Sequence, residues 1–155
     1  MPLPLGYLAI TTLVGFFGYI AIRSKKKKVF ISYYSKGDCR YKNLIVAWAK
    51  NNNFKLNLED VSTDINIKSQ NEQYLKRRMK EKINESDCVI VFIGEDTHER
   101  PWVQWEIKKA IELKKPIVAV KEKKTHKSPK LLIGCDAKWV YGFSEKKIRE
   151  AIESI

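Results

Sequence analysis

Six consecutive apolar residues, Cys88-Val89-Ile90-Val91-Phe92-Ile93, cannot form a strand with one face in water. Side chains alternate across a strand, so a run that is apolar at every position needs cover on both faces. That is the signature of a central strand in a parallel sheet with helices above and below. The run stops at Gly94. Any fold for this chain has to be built around that strand.

The flanking sequence alternates in the way such a sheet requires. Val29-Phe30-Ile31-Ser32-Tyr33 reads as a strand. Tyr41, Leu44, Ile45 and Trp48 follow at helical spacing, and Asn51-Asn52-Asn53 ends that helix. Phe54-Lys55-Leu56-Asn57-Leu58 alternates strictly and is expected to be a half-buried strand, with Glu59 to Asn71 mostly loop. Leu75, Met79 and Ile83 mark a charged amphipathic helix, and Val103, Ile107, Ala110 and Ile111 mark another that Pro116 closes. Ile117-Val118-Ala119-Val120 is a second buried strand. Lys138-Trp139-Val140-Tyr141 is an edge strand, and Ser144 caps a last helix with Ile148, Ala151, Ile152 and Ile155 on one face. Five strands alternating with helices predict an α/β fold with the flavodoxin-like strand order 2-1-3-4-5 and helices on both faces.

Ahead of this domain, Leu3 to Ile22 contains no charged residue. As a helix its 20 residues would rise about 30 Å, the thickness of a bilayer's hydrocarbon core. The segment Met1-Pro2-Leu3-Pro4 lacks the cation of a signal peptide, and the apolar stretch is too long for one. Residues 1–23 are therefore expected to be a transmembrane helix and 24–28 a basic linker, with the α/β domain over 29–155. Arg23 and Lys25 to Lys28 put five cations on one side of the helix, which predicts a single-pass protein with its domain in the cytoplasm and contact with anionic membrane lipid.

That cluster accounts for part of the net charge of +12. The remaining 25 Lys and Arg against 18 Asp and Glu leave +7, spread over helices rather than gathered in an aromatic-interleaved stripe. Nucleic acid is thus a poor candidate partner. Cys39, Cys88 and Cys135 form no C-x-x-C pair, and with two His in the chain no metal site is expected.

In the 2-1-3-4-5 order a ligand binds where the strand order reverses, at the C-terminal ends of the first and third strands. Ser32, Tyr33, Tyr34 and Ser35 fall on one side of that point and Gly94, Glu95, Asp96 and Thr97 on the other. No acidic pair follows the first strand, which excludes a phosphoacceptor receiver domain. Ser35-Lys36-Gly37-Asp38 is a poor phosphate loop, and neither G-x-G-x-x-G nor a Walker A motif occurs.

Three segments carry a resemblance to TIR domains. Lys28-Val29-Phe30-Ile31-Ser32-Tyr33 followed by Asp38 resembles their first box, and Asp87 to Gly94 resembles their third strand. Arg100-Pro101-Trp102-Val103-Gln104-Trp105-Glu106-Ile107 resembles the Trp-x-x-x-Glu segment that holds the catalytic glutamate of NAD-cleaving members. Together they are most similar to the TIR-like proteins of bacterial Thoeris antiphage systems. The Arg-Asp-x-x-Pro-Gly loop of eukaryotic TIR adaptors is missing, with Asp60-Val61-Ser62-Thr63-Asp64 in its place.

The resemblance implies cleavage of the nicotinamide–ribose bond of NAD, as substrate rather than cofactor, with Glu106 as the catalytic carboxylate. One carboxylate suffices, because nicotinamide leaves as a neutral base and needs no acid, while the oxocarbenium-like state left behind is cationic. On the helical wheel Trp102 and Glu106 stand beside the core stripe, where the carboxylate can face the cleft. The alternative is a solvated glutamate paired with Lys109. Ser32, Tyr33, Tyr34, Asp60, Gly94 and Trp102 are candidate substrate contacts: hydroxyl and ring partners for ribose, phosphate and base, with Gly94 permitting close approach. His98 reads as a turn residue. Trp105 falls on the wheel away from the core and is expected to be exposed, a surface for a homo-oligomer. An ADP-ribose-type product would act on a separate effector protein. The competing function is a non-enzymatic, membrane-tethered scaffold or nucleotide sensor.

Overall fold

The computed structural model describes residues 25–34, 36–51, 56, 58–61 and 71–155. Its strands are β1 (Lys27–Ser32), β2 (Leu58–Asp60), β3 (Cys88–Ile93), β4 (Ile117–Lys121) and β5 (Lys138–Tyr141). Its helices are α1 (Cys39–Lys50), α2 (Glu72–Glu85), α3 (Pro101–Glu112) and α4 (Glu145–Glu153). All strand pairs are parallel, in the order β2-β1-β3-β4-β5. This is the predicted flavodoxin-like order.

β3 lies in the middle and all six of its residues are buried. Alternate residues feed two cores. Cys88, Ile90 and Phe92 join Tyr41 and Ile45 of α1 and Ile148, Ala151 and Ile152 of α4 on one face. Val89, Val91 and Ile93 join Ile83 of α2 and Val103, Ile107 and Ala110 of α3 on the other. Removing Cys88 from water pushes its thiol up to about 12, so it serves as packing rather than chemistry.

The second strand departs from the sequence expectation. Its described part, Leu58–Asp60, pairs with Lys27, Lys28 and Val29, so the strand runs into Glu59 and Asp60, which the pattern assigns to the loop. Phe54, Lys55 and Asn57 lie outside the described residues. An edge strand of three residues has one neighbour, so hydrophobic alternation does not set its limits. The stripes on α1 and α3 are also narrower than periodicity implied, because Leu44 and Ile111 are both exposed. Ser144 occupies the N-cap of α4, but its side chain accepts no capping hydrogen bond.

The lower end of the sheet is tied together by Lys27, whose ammonium donates to Ile152 O (2.7 Å) and Ile155 O (2.8 Å). Beside it Lys28 N donates to Asp87 Oδ2 at 2.8 Å. Among the described residues no helix is long and apolar enough to cross a membrane. The expected transmembrane helix, 1–23, and residue 24 lie outside the described residues, while Lys27 and Lys28, expected to end the linker, already form the start of β1.

Candidate functional site

α3 begins with Pro101 at its first position, where a missing N–H costs nothing. One turn and a half later it delivers Glu106 to the C-terminal end of β1. Glu106 is 7% exposed and Ser32, the last residue of β1, is fully buried. The Ser32 hydroxyl donates to Glu106 Oε2 across 74 residues of sequence. Glu106 is therefore no solvated helix carboxylate. Lys109 pairs instead with Glu112.

Burial pushes the Glu106 carboxyl up to about 7, against the opposing pull of the Ser32 hydroxyl and the positive charge of Lys42. At neutral pH the group is thus close to half ionised. Lys42, on α1, pairs with Asp60 at 3.4 Å and lies 5.2 Å from the Tyr33 ring centroid. Asp60 is the last residue of β2, so the ends of β2, β1 and α1 meet at one end of the sheet.

A second buried carboxylate completes this end of the sheet. Asp38, 7% exposed, accepts from Thr97 Oγ1 at 2.9 Å, and Thr97 Oγ1 accepts from Gly94 N at 2.8 Å. Burial raises the Asp38 carboxyl, and the Thr97 bond works against that rise. Gly94 permits close approach, as expected, but the group it admits is Asp38. A Cβ at Gly94 would stand 2.3 Å from Asp38 Oδ1. Thr97 falls at the switch point as expected from sequence, whereas Lys42 carries no signal there and Asp38 only that of the first-box motif. The faint signals were the Gly94-x-x-Thr97 spacing and Asp38 following the first strand.

The other candidates are placed less centrally. Tyr33 is half-buried against the α1 core, and Tyr34 is half-buried under Arg100, whose guanidinium carbon lies 3.8 Å from its ring centroid. Arg100 also pairs with Asp96 at 3.2 Å. Trp102 is exposed at 37%, with Lys76 5.8 Å from its ring. Trp105 corrects the sequence expectation. It is half-buried, packs against the α2–α3 core and meets Trp102 edge-on at 6.2 Å. A partly covered helix face can bury a ring that the wheel assigns to solvent. His98 lies in the short 3-10 turn Thr97–Glu99. No group of His, Cys, Asp and Glu among the described residues could hold a metal ion.

No curated protein matches the chain. Solved structures share its fold. A CMP N-glycosidase of Clostridium botulinum, BcmB, superposes with a TM-score of 0.55 at 15% identity, over 83% of this chain and all of its own. A conserved protein of Enterococcus faecalis gives 0.62 at 15% identity, over 83% and 98%. The sequence itself matches the family described as "Thoeris protein ThsB, TIR-like domain" over residues 30–127, which takes in the second half of β1, with Ser32, and Asp38, Gly94 and Glu106. The chain belongs to that family of TIR-like domains.

Proposed function

We propose that the chain is an NAD-cleaving enzyme that breaks the nicotinamide–ribose bond and makes an ADP-ribose-type signal in antiphage defence. The observation that carries this reading is Glu106, a carboxylate buried at the C-terminal end of the central strands and held by Ser32. Burying a carboxylate costs free energy, which the Ser32 hydroxyl and the charge of Lys42 offset only in part, since the carboxyl stays raised. A cationic nicotinamide–ribose would supply the missing positive charge.

The chemistry then runs in two steps. The bond between C1′ and the nicotinamide nitrogen breaks with both electrons going to the ring, which leaves neutral. The positive charge develops on the ribose, where the Glu106 carboxylate stabilises it electrostatically. Water, or a hydroxyl or nitrogen of the ADP-ribose itself, then forms the new bond at C1′ and loses a proton. Tyr33, Tyr34, Asp60 and Trp102 are the proposed substrate contacts, while the space beside Gly94 is taken by Asp38. An N-glycosidase exists on the same fold, so the scaffold is compatible with this bond cleavage. We further propose a membrane-tethered chain with a cytoplasmic domain, self-association through that domain, and a separate effector that reads the product.

The test is chromatography of NAD incubated with the full chain at high density on vesicles. Nicotinamide and an ADP-ribose product are expected. If NAD stays intact at every density, the enzyme reading fails and the scaffold reading takes its place.

A further inference from the structure

Beyond the C-terminal ends of β3 and β4, away from β1, the segment after β4 folds back over the start of α3. It borders an open cleft of about 640 Å³ lined by Lys121, Lys127, Lys130, His98, His126 and Gln104, with no Asp or Glu among its described lining residues. Both histidines of the chain are here.

These basic groups differ from the paired cations of α2 and α4. Along α2 and α4, Lys76, Arg78, Lys82 and Arg149 each pair with a glutamate of their own helix. Lys121, Lys127 and Lys130 have no carboxylate partner among the described residues. The His126 side chain is only 10% exposed. Its Nδ1 lies 3.4 Å from Ile93 O and 3.9 Å from Glu122, a carboxylate that Arg40 also engages at 3.0 Å. His98 Nδ1 is buried without a hydrogen-bond partner, while its Nε2 faces Glu99 at 3.4 Å. Gln104 fixes the His98 turn by donating from Nε2 to His98 O at 2.8 Å.

We infer that this cleft binds a small phosphate-bearing ligand of the pyrophosphate or nucleotide class, at a site separate from Glu106. Three lysines lining one concave surface give it a positive potential, which a polyanion complements. The two imidazoles line the same wall, and His98 Nδ1 lies buried there without a hydrogen-bond partner among the described residues. The volume falls in the range of small-molecule sites, about 300–1,000 Å³, and a concave wall favours a compact ligand over a flat macromolecular surface. Ser32, Asp38 and Glu106 do not line the cleft. The inference therefore stands apart from NAD cleavage.

Calorimetric titration of the full chain in detergent micelles with inorganic pyrophosphate, and separately with ADP, tests this site. Saturable binding at one ligand per chain is expected, weakening as salt rises. The double variant Lys127→Glu/Lys130→Glu, which changes two exposed side chains, should weaken it at least about tenfold, by reversing two of three charges. His126→Ala should weaken it severalfold, and Glu106→Gln should leave it unchanged. ADP binding more than about tenfold tighter than pyrophosphate would identify a nucleotide, and equal affinities a bare phosphate group. Three results would overturn the site: no saturable heat, full binding in the double variant, or loss of binding in Glu106→Gln.

Discussion

Burial gives Glu106 two opposed properties, and single substitutions can separate them. Its carboxyl, raised from 4.5 to about 7 by desolvation, is costly to the fold whenever it is ionised. The folded-state value lies above the unfolded one, so the stability it contributes is fully present below about 4.5 and is lost as pH rises through about 7. Glu106→Gln keeps an oxygen for Ser32 and removes the charge. Its melting temperature should match or exceed that of the wild type at pH 8, by a few kcal/mol at most in free-energy terms, and the gap should close near pH 5. NAD cleavage should fall by about 10² to 10³ in the same variant. Turnover near wild type would remove Glu106 from the chemistry. Ser32 offers an independent check. Because its hydrogen bond lowers the carboxyl, Ser32→Ala should move the ionisation upward. The rise of log kcat/KM with pH, centred near 7 in the wild type, should shift to higher pH in that variant. The Trp-x-x-x-Glu pattern made Glu106 legible in the sequence, but not its burial. A helical wheel fixes an angle around α3, whereas exposure depends on how β1 and α1 close over that flank.

Elements matter here through where they stop. β1 ends at Ser32 and β3 at Ile93, and in the gap beyond them Gly94 leaves room for the Asp38 carboxylate. In Gly94→Ala the new methyl would overlap Asp38 Oδ1 and Cγ, so the Asp38–Thr97 pair must move. We expect a loss of about 1–3 kcal/mol in denaturant unfolding. Combined with Asp38→Ala, the loss should be smaller than the sum of the two single changes by about 1 kcal/mol, because the clash goes with the side chain. A strictly additive pair would show that Gly94 is needed for another reason. The strands that define this gap were readable to different degrees. β3 and β4 announce themselves because both faces are buried, and β5 begins and ends where its residues predicted. β2 does not, since its three residues owe their pairing to β1 rather than to their own pattern. Thr97 joins the site through a contact 59 residues away in sequence, which no local periodicity encodes.

At the scale of the whole molecule, the proposal of a tethered, self-associating enzyme rests on the uncharged run Leu3 to Ile22 and the lysines after it. The full chain should pellet with membranes while Arg23 to Ile155 alone stays in the supernatant, and specific activity should rise with surface density. A full chain left in the supernatant after high-speed centrifugation would refute the tether. Lys27, clasped to the carbonyls at the end of α4, fixes what such a tether would do. Every strand runs the same way, so the chain enters at one pole of the sheet and Ser32 and Glu106 stand at the other. Five residue steps of β1 separate Lys27 from Ser32, about 17 Å at roughly 3.3 Å per residue. That spacing exceeds the Debye length of about 8 Å at physiological salt. The potential of an anionic bilayer would have decayed before reaching Glu106, so the lipid could gather copies of the protein without altering the proton equilibrium on which its chemistry depends.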